Sequence, residues 1–259
     1  MPVRLGAALV AEFVGSFALT FIGIMAIHHA PAAPAFAGLL AVALAHGIIL
    51  AVAVSATMPT SGGHLNPAVT IGFLVTGKIK PVAAISYIVL QLLGGVVAAL
   101  AVYWIFGGGT EAARIVAAGT PQIDKSVSAS SAVLCETIAT FLLTFVIWGT
   151  AADPRARNVG GFAIGLTIAA DILAIGPITG ASMNPQRSFG PTLIASMLTD
   201  GSASGSSSLW STHWIYWVGP VAGAMLAALL YHLALWPSDP KRGLDPGAED
   251  VPPTQRPQG

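Results

Sequence analysis

The sequence predicts an all-α membrane protein: six transmembrane helices plus two re-entrant half-helices, arranged as an inverted three-helix repeat. Three observations carry that prediction. Six apolar stretches are long enough to cross a bilayer, two Asn-Pro segments head apolar runs too short to do so, and an internal duplication keeps the two sets in step. One membrane domain is expected over 1–236, with repeats near 5–106 and 129–236, and a flexible cytoplasmic tail over 237–259.

The spans come first. Of 259 residues, 54% are hydrophobic and 8% charged, with mean hydropathy +0.76. A water-facing domain usually carries about 25% charged residues, so too little charge remains to cover a solvated surface. Stretches near 5–27, 35–57, 81–106, 129–150, 160–177 and 213–236 approach or exceed the roughly 20 residues that a bilayer-crossing helix needs. Met1 to Arg4 is too short and too weakly charged to open a cleavable signal, so the first span is expected to be retained. Lys and Arg fix the orientation. With the N-terminus inside, Arg4, Lys78, Lys80, Arg155, Arg157, Lys241, Arg242 and Arg256 are cytoplasmic, against Arg114 and Lys125 outside. That asymmetry places both termini in the cytoplasm, and the cell (inner) membrane is the expected location. A net charge of zero gives no basis for a nucleic-acid partner, and a single cysteine, Cys135, allows no internal disulfide. No cofactor and no metal site are indicated.

The duplication comes next. "AEFVGSFALTF" (11–21) in the first span and "CETIATFLLTF" (135–145) in the fourth align on Glu12 and Glu136, and agree again at Phe, Leu, Thr and Phe. Each is followed by two further apolar stretches and one Asn-Pro segment. Three spans per half is an odd number, so the second half enters the bilayer from the opposite face, as in many transport proteins.

The Asn-Pro segments, "SGGHLNPAVT" (61–70) and "GASMNPQRSF" (180–189), each precede an apolar run of about 11–14 residues, about 16–21 Å as helix. Neither reaches across the roughly 30 Å of hydrocarbon. Asn66 and Asn184 are N-cap residues by type, the side-chain oxygen accepting from a first-turn N–H. Pro67 and Pro185 suit the first helical position, where a missing N–H costs nothing. Two helix amino ends, each about half a positive charge, would face one another near mid-membrane with an amide NH₂ free on each asparagine. The stretches ahead of them must be irregular, which is tolerated at that depth only when buried in protein or lining a wet cavity. Carbonyls around Gly62, Gly63, His64 and Gly180 would then supply acceptors. The chemistry is passage of neutral hydrogen-bonding molecules, because a cation meets positive potential and no complete oxygen cage.

These residues together resemble the aquaporins, or major intrinsic proteins, over about 230 residues. The resemblance implies one pore per subunit, a homotetramer in the lipid bilayer, and a constriction at four positions that correspond here to His46, Ile172, Ala181 and Arg187. That set matches neither the water-only nor the glycerol-conducting pattern. It looks like plant tonoplast intrinsic proteins and ammonia-conducting animal aquaporins, whose "DILAGGP"-type segment is echoed by "DILAIGP" (171–177). Water and small neutral solutes (ammonia, hydrogen peroxide and urea) are the expected permeants, with protons and ions excluded. A solute facilitator of urea or glycerol type with little water flux is the alternative.

The second motif departs from the family, which usually has Ala68-like alanine where this chain has Gln186. Its side chain either intrudes on the lumen or packs aside against neighbouring backbone. Glu12 and Glu136 are expected to buttress the re-entrant loops by accepting from their amides, with a proton relay as the other reading. Asp171 is expected to make a structural hydrogen bond. An ion-coupled transporter is disfavoured by the short half-helices and Arg187. A hydrolase using Ser182 is disfavoured because "GASMN" is no nucleophile elbow.

Overall fold

The computed structural model describes residues 4–32, 35–156, 159–198 and 206–237. The tail expected from 237 onward falls outside the described residues from 238, as do Arg157, Lys241, Arg242 and Arg256. Ten α-helices follow in chain order among the described residues, and no strand. They are α1 (Leu5–His29), α2 (Ala35–Ser61), α3 (Pro67–Val75), α4 (Pro81–Ile105), α5 (Gly109–Ala118), α6 (Ala129–Ile147), α7 (Gly160–Thr179), α8 (Pro185–Leu198), α9 (Ser206–Ser211) and α10 (Ile215–Leu230). A π-helical turn prolongs α6 over Trp148–Ala152 and another prolongs α10 over Tyr231–Leu235. Six of the resulting rods are long and apolar enough to cross a membrane.

Their outward faces are stripes of bare hydrocarbon. Leu44, Ile48 and Val52 on α2, and Leu134, Ile138 and Leu142 on α6, recur every four residues and are exposed. Four residues is just over one helical turn, so each set shares a face, and lipid is the solvent that such a face fits.

The helices interleave. α1 packs on α4 and α6 on α10, α2 crosses α7, and each half-helix lies against the last long helix of the other arrangement: α3 on α10 and α8 on α4. Repeat-related glycines set the close crossings. A Cβ on Gly47 would stand 2.6 Å from the Gly165 carbonyl oxygen, and one on Gly165 would run into the Gly47 carbonyl. These two residues are separated by 118 positions, the same interval as Asn66 and Asn184. The two halves therefore meet across a pseudo-twofold axis through the α2–α7 crossing.

The half-helices are short, as their apolar runs implied. α3 has 9 residues and α8 has 14, about 14 and 21 Å at 1.5 Å per residue. The helix α5 was not signalled in the sequence. It buries Ala112, Ala113, Ile115 and Val116 and packs against α8 and α4.

At the end of the bundle where α6 and α10 finish, Asp153 binds Arg155 at 2.6 Å and accepts from the Tyr231 hydroxyl at 2.9 Å. Arg155 also donates to the Leu235 carbonyl at 2.7 Å, and Lys78 sits 3.3 Å from the Trp236 ring centroid. The Arg155 guanidinium holds the Asp153 carboxyl down to about 2 from its ordinary 3.8. A depressed carboxylate stabilises the fold above its ordinary range, and that contribution is lost only as pH falls through the folded value. Amide exchange across 153–156, corrected for its intrinsic pH dependence, should therefore stay constant from neutral pH down to about 4 and rise only toward about 2. Asp153→Asn should raise it throughout.

Candidate functional site

Both re-entrant loops are built the same way. Asn66 Oδ1 accepts from the Ala68 amide at 2.8 Å, and Asn184 Oδ1 from the Gln186 amide at 3.1 Å. Each asparagine thus caps its own half-helix, with Pro67 and Pro185 in the first position. The NH₂ groups are not wholly free, contrary to expectation. Asn66 Nδ2 donates to the Met183 carbonyl at 2.8 Å, and Asn184 Nδ2 to the Leu65 carbonyl at 2.8 Å. One N–H of each asparagine stitches the two loops together, which leaves one for the lumen that both side chains line.

Leu65 and Met183 pay a conformational cost for aiming their carbonyls. They have φ of 48° and 51°, a left-handed region that non-glycine residues adopt at about 1–3 kcal/mol. The glutamates hold them there. Glu12 accepts from the amides of His64 (3.0 Å) and Leu65 (2.7 Å) and from Ser61 Oγ and Gln91 Nε2. Glu136 accepts from the amides of Ser182 (3.0 Å) and Met183 (2.7 Å) and from Thr179 Oγ1. Both carboxylates are fully buried, and every contact is an incoming donor. Tyr87 and Tyr216 complete the scaffold by donating to the carbonyls of Ser61 and Thr179, the last residues of α2 and α7.

All four expected constriction residues line one central lumen: His46, Ile172, Ala181 and Arg187. Arg187 is buried. It donates to the Gly119 carbonyl at 2.8 Å and approaches His46 Nε2 at 3.5 Å. Its guanidinium has no carboxylate within ion-pair distance among the described residues, so its charge is left to the lumen. His46 Nδ1 lies 2.8 Å from the Val42 carbonyl, which assigns the proton to Nδ1 and turns the Nε2 lone pair toward Arg187.

A cavity on the α5 side shares Ile172 and Arg187 with the lumen, and a cavity at the opposite end shares Gly63, His64, Val69 and Ile164. The two flanking cavities adjoin the lumen through these shared residues, with Arg187 at one junction. Gly180 and Gly62 belong to these flanking mouths rather than to the lumen, whereas Gly63 and His64 line it. His64 also supports its loop, with Nδ1 3.1 Å from Thr70 Oγ1 and its ring stacked on Phe73 at 4.3 Å between centroids.

Subtracting the same 118-residue interval from Ile172, Ala181 and Arg187, and adding it to His46, gives Val54, Gly63, Val69 and Ile164. All four line the lumen too. The four positions equivalent to the polar neck are thus apolar at the other end, with His64 beside them.

Several contributors carried no sequence signal. Gly119 acts through its backbone. Gln91 bridges Glu12 and Thr70 at 2.7 and 3.0 Å. Ser61 and Thr179 are ordinary helix residues by type. Asp171, expected to make a structural hydrogen bond, is buried outside the lumen, and its Oδ2 finds no partner among the described residues.

Comparison with known proteins follows the same line. The family described as Major intrinsic protein matches residues 3–231. Relatives include aquaporin TIP1-2 of Zea mays, 40% identical over 94% of this chain and 91% of that one. The probable aquaporin TIP3-2 of Arabidopsis thaliana is 41% identical over 89% and 84%. The chain belongs to the aquaporin, or major intrinsic protein, family. The aquaporin fold is further matched by the X-ray structure of the aquaglyceroporin from Plasmodium falciparum, at TM-score 0.78, 24% identity and coverage of 89% of this chain and 97% of that one. The protein is a multi-pass membrane channel of the aquaporin family, a family of channels rather than enzymes.

Removing either glutamate should unmake its loop. Glu136→Ala strands the Ser182 and Met183 amides and should lower stability by about 3 kcal/mol or more, since each buried unpaired group costs about 1–3 kcal/mol. Glu136→Gln should lose less. Thermal unfolding in detergent measures both, and an unchanged midpoint for Glu136→Ala would contradict the role.

Proposed function

We propose that the chain conducts water and small neutral solutes passively, with ammonia, hydrogen peroxide and urea among them, and excludes protons and ions. The observation that carries this reading is a lumen with a cavity adjoining each end, with Arg187 and two half-helix amino ends presenting positive potential to it. Positive half-helix ends and an arginine are what bar protons and cations in aquaporin-type pores. Neutral molecules meet no such barrier, and the free N–H on each asparagine offers them a donor halfway.

The neck favours small solutes over glycerol. Ile172 and Ala181 give aliphatic walls opposite the His46–Arg187 pair, without the two aromatic faces that a glycerol slot uses. The relatives' TIP-type names support the same branch of the family. The alternative, a facilitator of urea or glycerol type with little water flux, draws support from the aliphatic lumen.

The working unit is a homotetramer with one pore in each subunit. Both termini are cytoplasmic, a reading supported by the Lys and Arg asymmetry between the connecting segments, and the cell (inner) membrane is the location proposed with it. Protease access to sealed vesicles of known orientation tests the sidedness, and mass measurement in detergent tests the tetramer.

Stopped-flow on proteoliposomes tests the permeants. Water permeability should rise well above that of protein-free vesicles, with sodium leak unchanged. Vesicles that leak sodium as fast as they swell would refute the reading. Arg187→Val should leave water flux largely intact and raise proton or cation leak by roughly tenfold, the effect of removing about 1.4 kcal/mol of barrier.

A further inference from the structure

The second half-helix begins with a residue that its repeat-mate does not resemble. Gln186 stands where the first half has Ala68, 118 residues earlier. It is fully buried and takes no part in lining the lumen. Its Oε1 accepts from Thr20 Oγ1 on α1 at 3.0 Å, and its Nε2 has no partner among the described residues. On the α4 side it lies over Gly95. A Cβ there would stand 2.6 Å from Gln186 Oε1 and 2.7 Å from the Gln186 carbonyl oxygen. A Cβ on Gly190, one turn further along α8, would run into the Gly95 carbonyl.

The first half solves the same packing problem differently. Ala224 occupies the place of Gly95, and a Cβ on Gly72 would meet nothing nearer than the Ala224 carbonyl at 3.3 Å. Thr144, the repeat-mate of Thr20, has a hydroxyl without a partner among the described residues. A larger residue in the motif is therefore matched by a smaller one on the facing helix, and a hydroxyl that is idle in one half is engaged in the other. α8 sits on α4 with backbone against backbone, whereas α3 is held further from α10.

We propose that Gln186, hydrogen-bonded to Thr20 and seated on Gly95, is a positioning residue that fixes the first turn of α8 and with it the depth and direction of Arg187. Arg187 is the next residue on that turn. Its own restraints are the Gly119 carbonyl and the 3.5 Å approach to His46, so its placement follows the backbone it stands on. An amide suits the task better than a hydrocarbon chain. Leaving Thr20 would strand further polar groups in a buried site, which keeps the side chain at one depth. This inference rests on Arg187 acting in the constriction of a water-conducting pore.

The test compares wild type, Thr20→Val, Gln186→Ala, the double variant and Gly95→Ala in proteoliposomes. The readouts are the urea-to-water permeability ratio and the activation energy of water flux, both independent of how many channels are folded. Thr20→Val keeps the side-chain shape, so it reports even where Gln186→Ala yields little protein. Thr20→Val and Gln186→Ala should each raise the urea-to-water ratio, by about threefold or more for Gln186→Ala. The double variant should show no more than the larger single effect, as for residues coupled through one contact. Gly95→Ala, which drives the turn toward the lumen, should raise the activation energy for water. Ratios and activation energies equal to wild type in Thr20→Val and Gln186→Ala, or effects that simply add, would overturn the inference while leaving the channel reading intact. A wild type no more permeable than protein-free vesicles would remove both.

Discussion

Each re-entrant loop passes through a left-handed residue that is not glycine, and one carboxylate from a neighbouring helix holds the amide of that residue in place. Everything at the centre of the pore follows from this restraint. With Leu65 and Met183 fixed by Glu12 and Glu136, their carbonyls reach the opposite asparagines, and the asparagines close the two half-helices end to end. A carboxylate buried in a bilayer is costly unless its oxygens are met by donors. Here all of the recorded contacts are donors from the loop, from α2 or α7, or from Gln91. The glutamates anchor the loops through these bonds, and a proton relay would need an acceptor or a wet path that these contacts do not provide.

The same architecture separates a channel from a transporter built on inverted repeats. Transporters of that kind work largely by rocking one repeat or bundle against another around a central site. Here the halves are cross-linked at their centre by the two asparagine bonds, and each half-helix lies against the last long helix of the other half. The α2–α7 crossing brings Gly47 and Gly165 backbone to backbone, with Ala51 and Ala169 packed beside them. The two repeats are thereby tied to one another at the centre of the protein.

The parts of this design that were legible in the sequence are those with a compositional or stereochemical signature. Span length and missing charge gave six helices, and the asparagine and proline types announced caps. The spacing of Glu12 and Glu136 to their motifs announced the repeat. What was hidden acts through backbone or through fit. Gly119 contributes a carbonyl, which any residue could supply. The helix α5 begins behind Gly107, Gly108 and Gly109, a run that reads as loop, and buries only a few residues. Gln186 was recognisable as a departure, but its partner is a hydroxyl on α1 rather than neighbouring backbone, and the glycine beneath it looks like any other in the span. Asp171 reads as a hydrogen-bonding residue by type, yet none of the described residues brings a donor to its Oδ2.

The two necks are unlike: His46 and Arg187 at one end, and Val54, Val69 and Ile164 in the equivalent places at the other. Such a conduit still cannot rectify. Nothing in it couples to an energy source, so detailed balance makes its conductance to a neutral solute the same in both directions at equilibrium. The lopsidedness shows only toward molecules that enter and stop. A small anion is drawn to the guanidinium mouth, while a greasy plug lodges more readily against the aliphatic one, so occlusion carries a sidedness that flow itself does not.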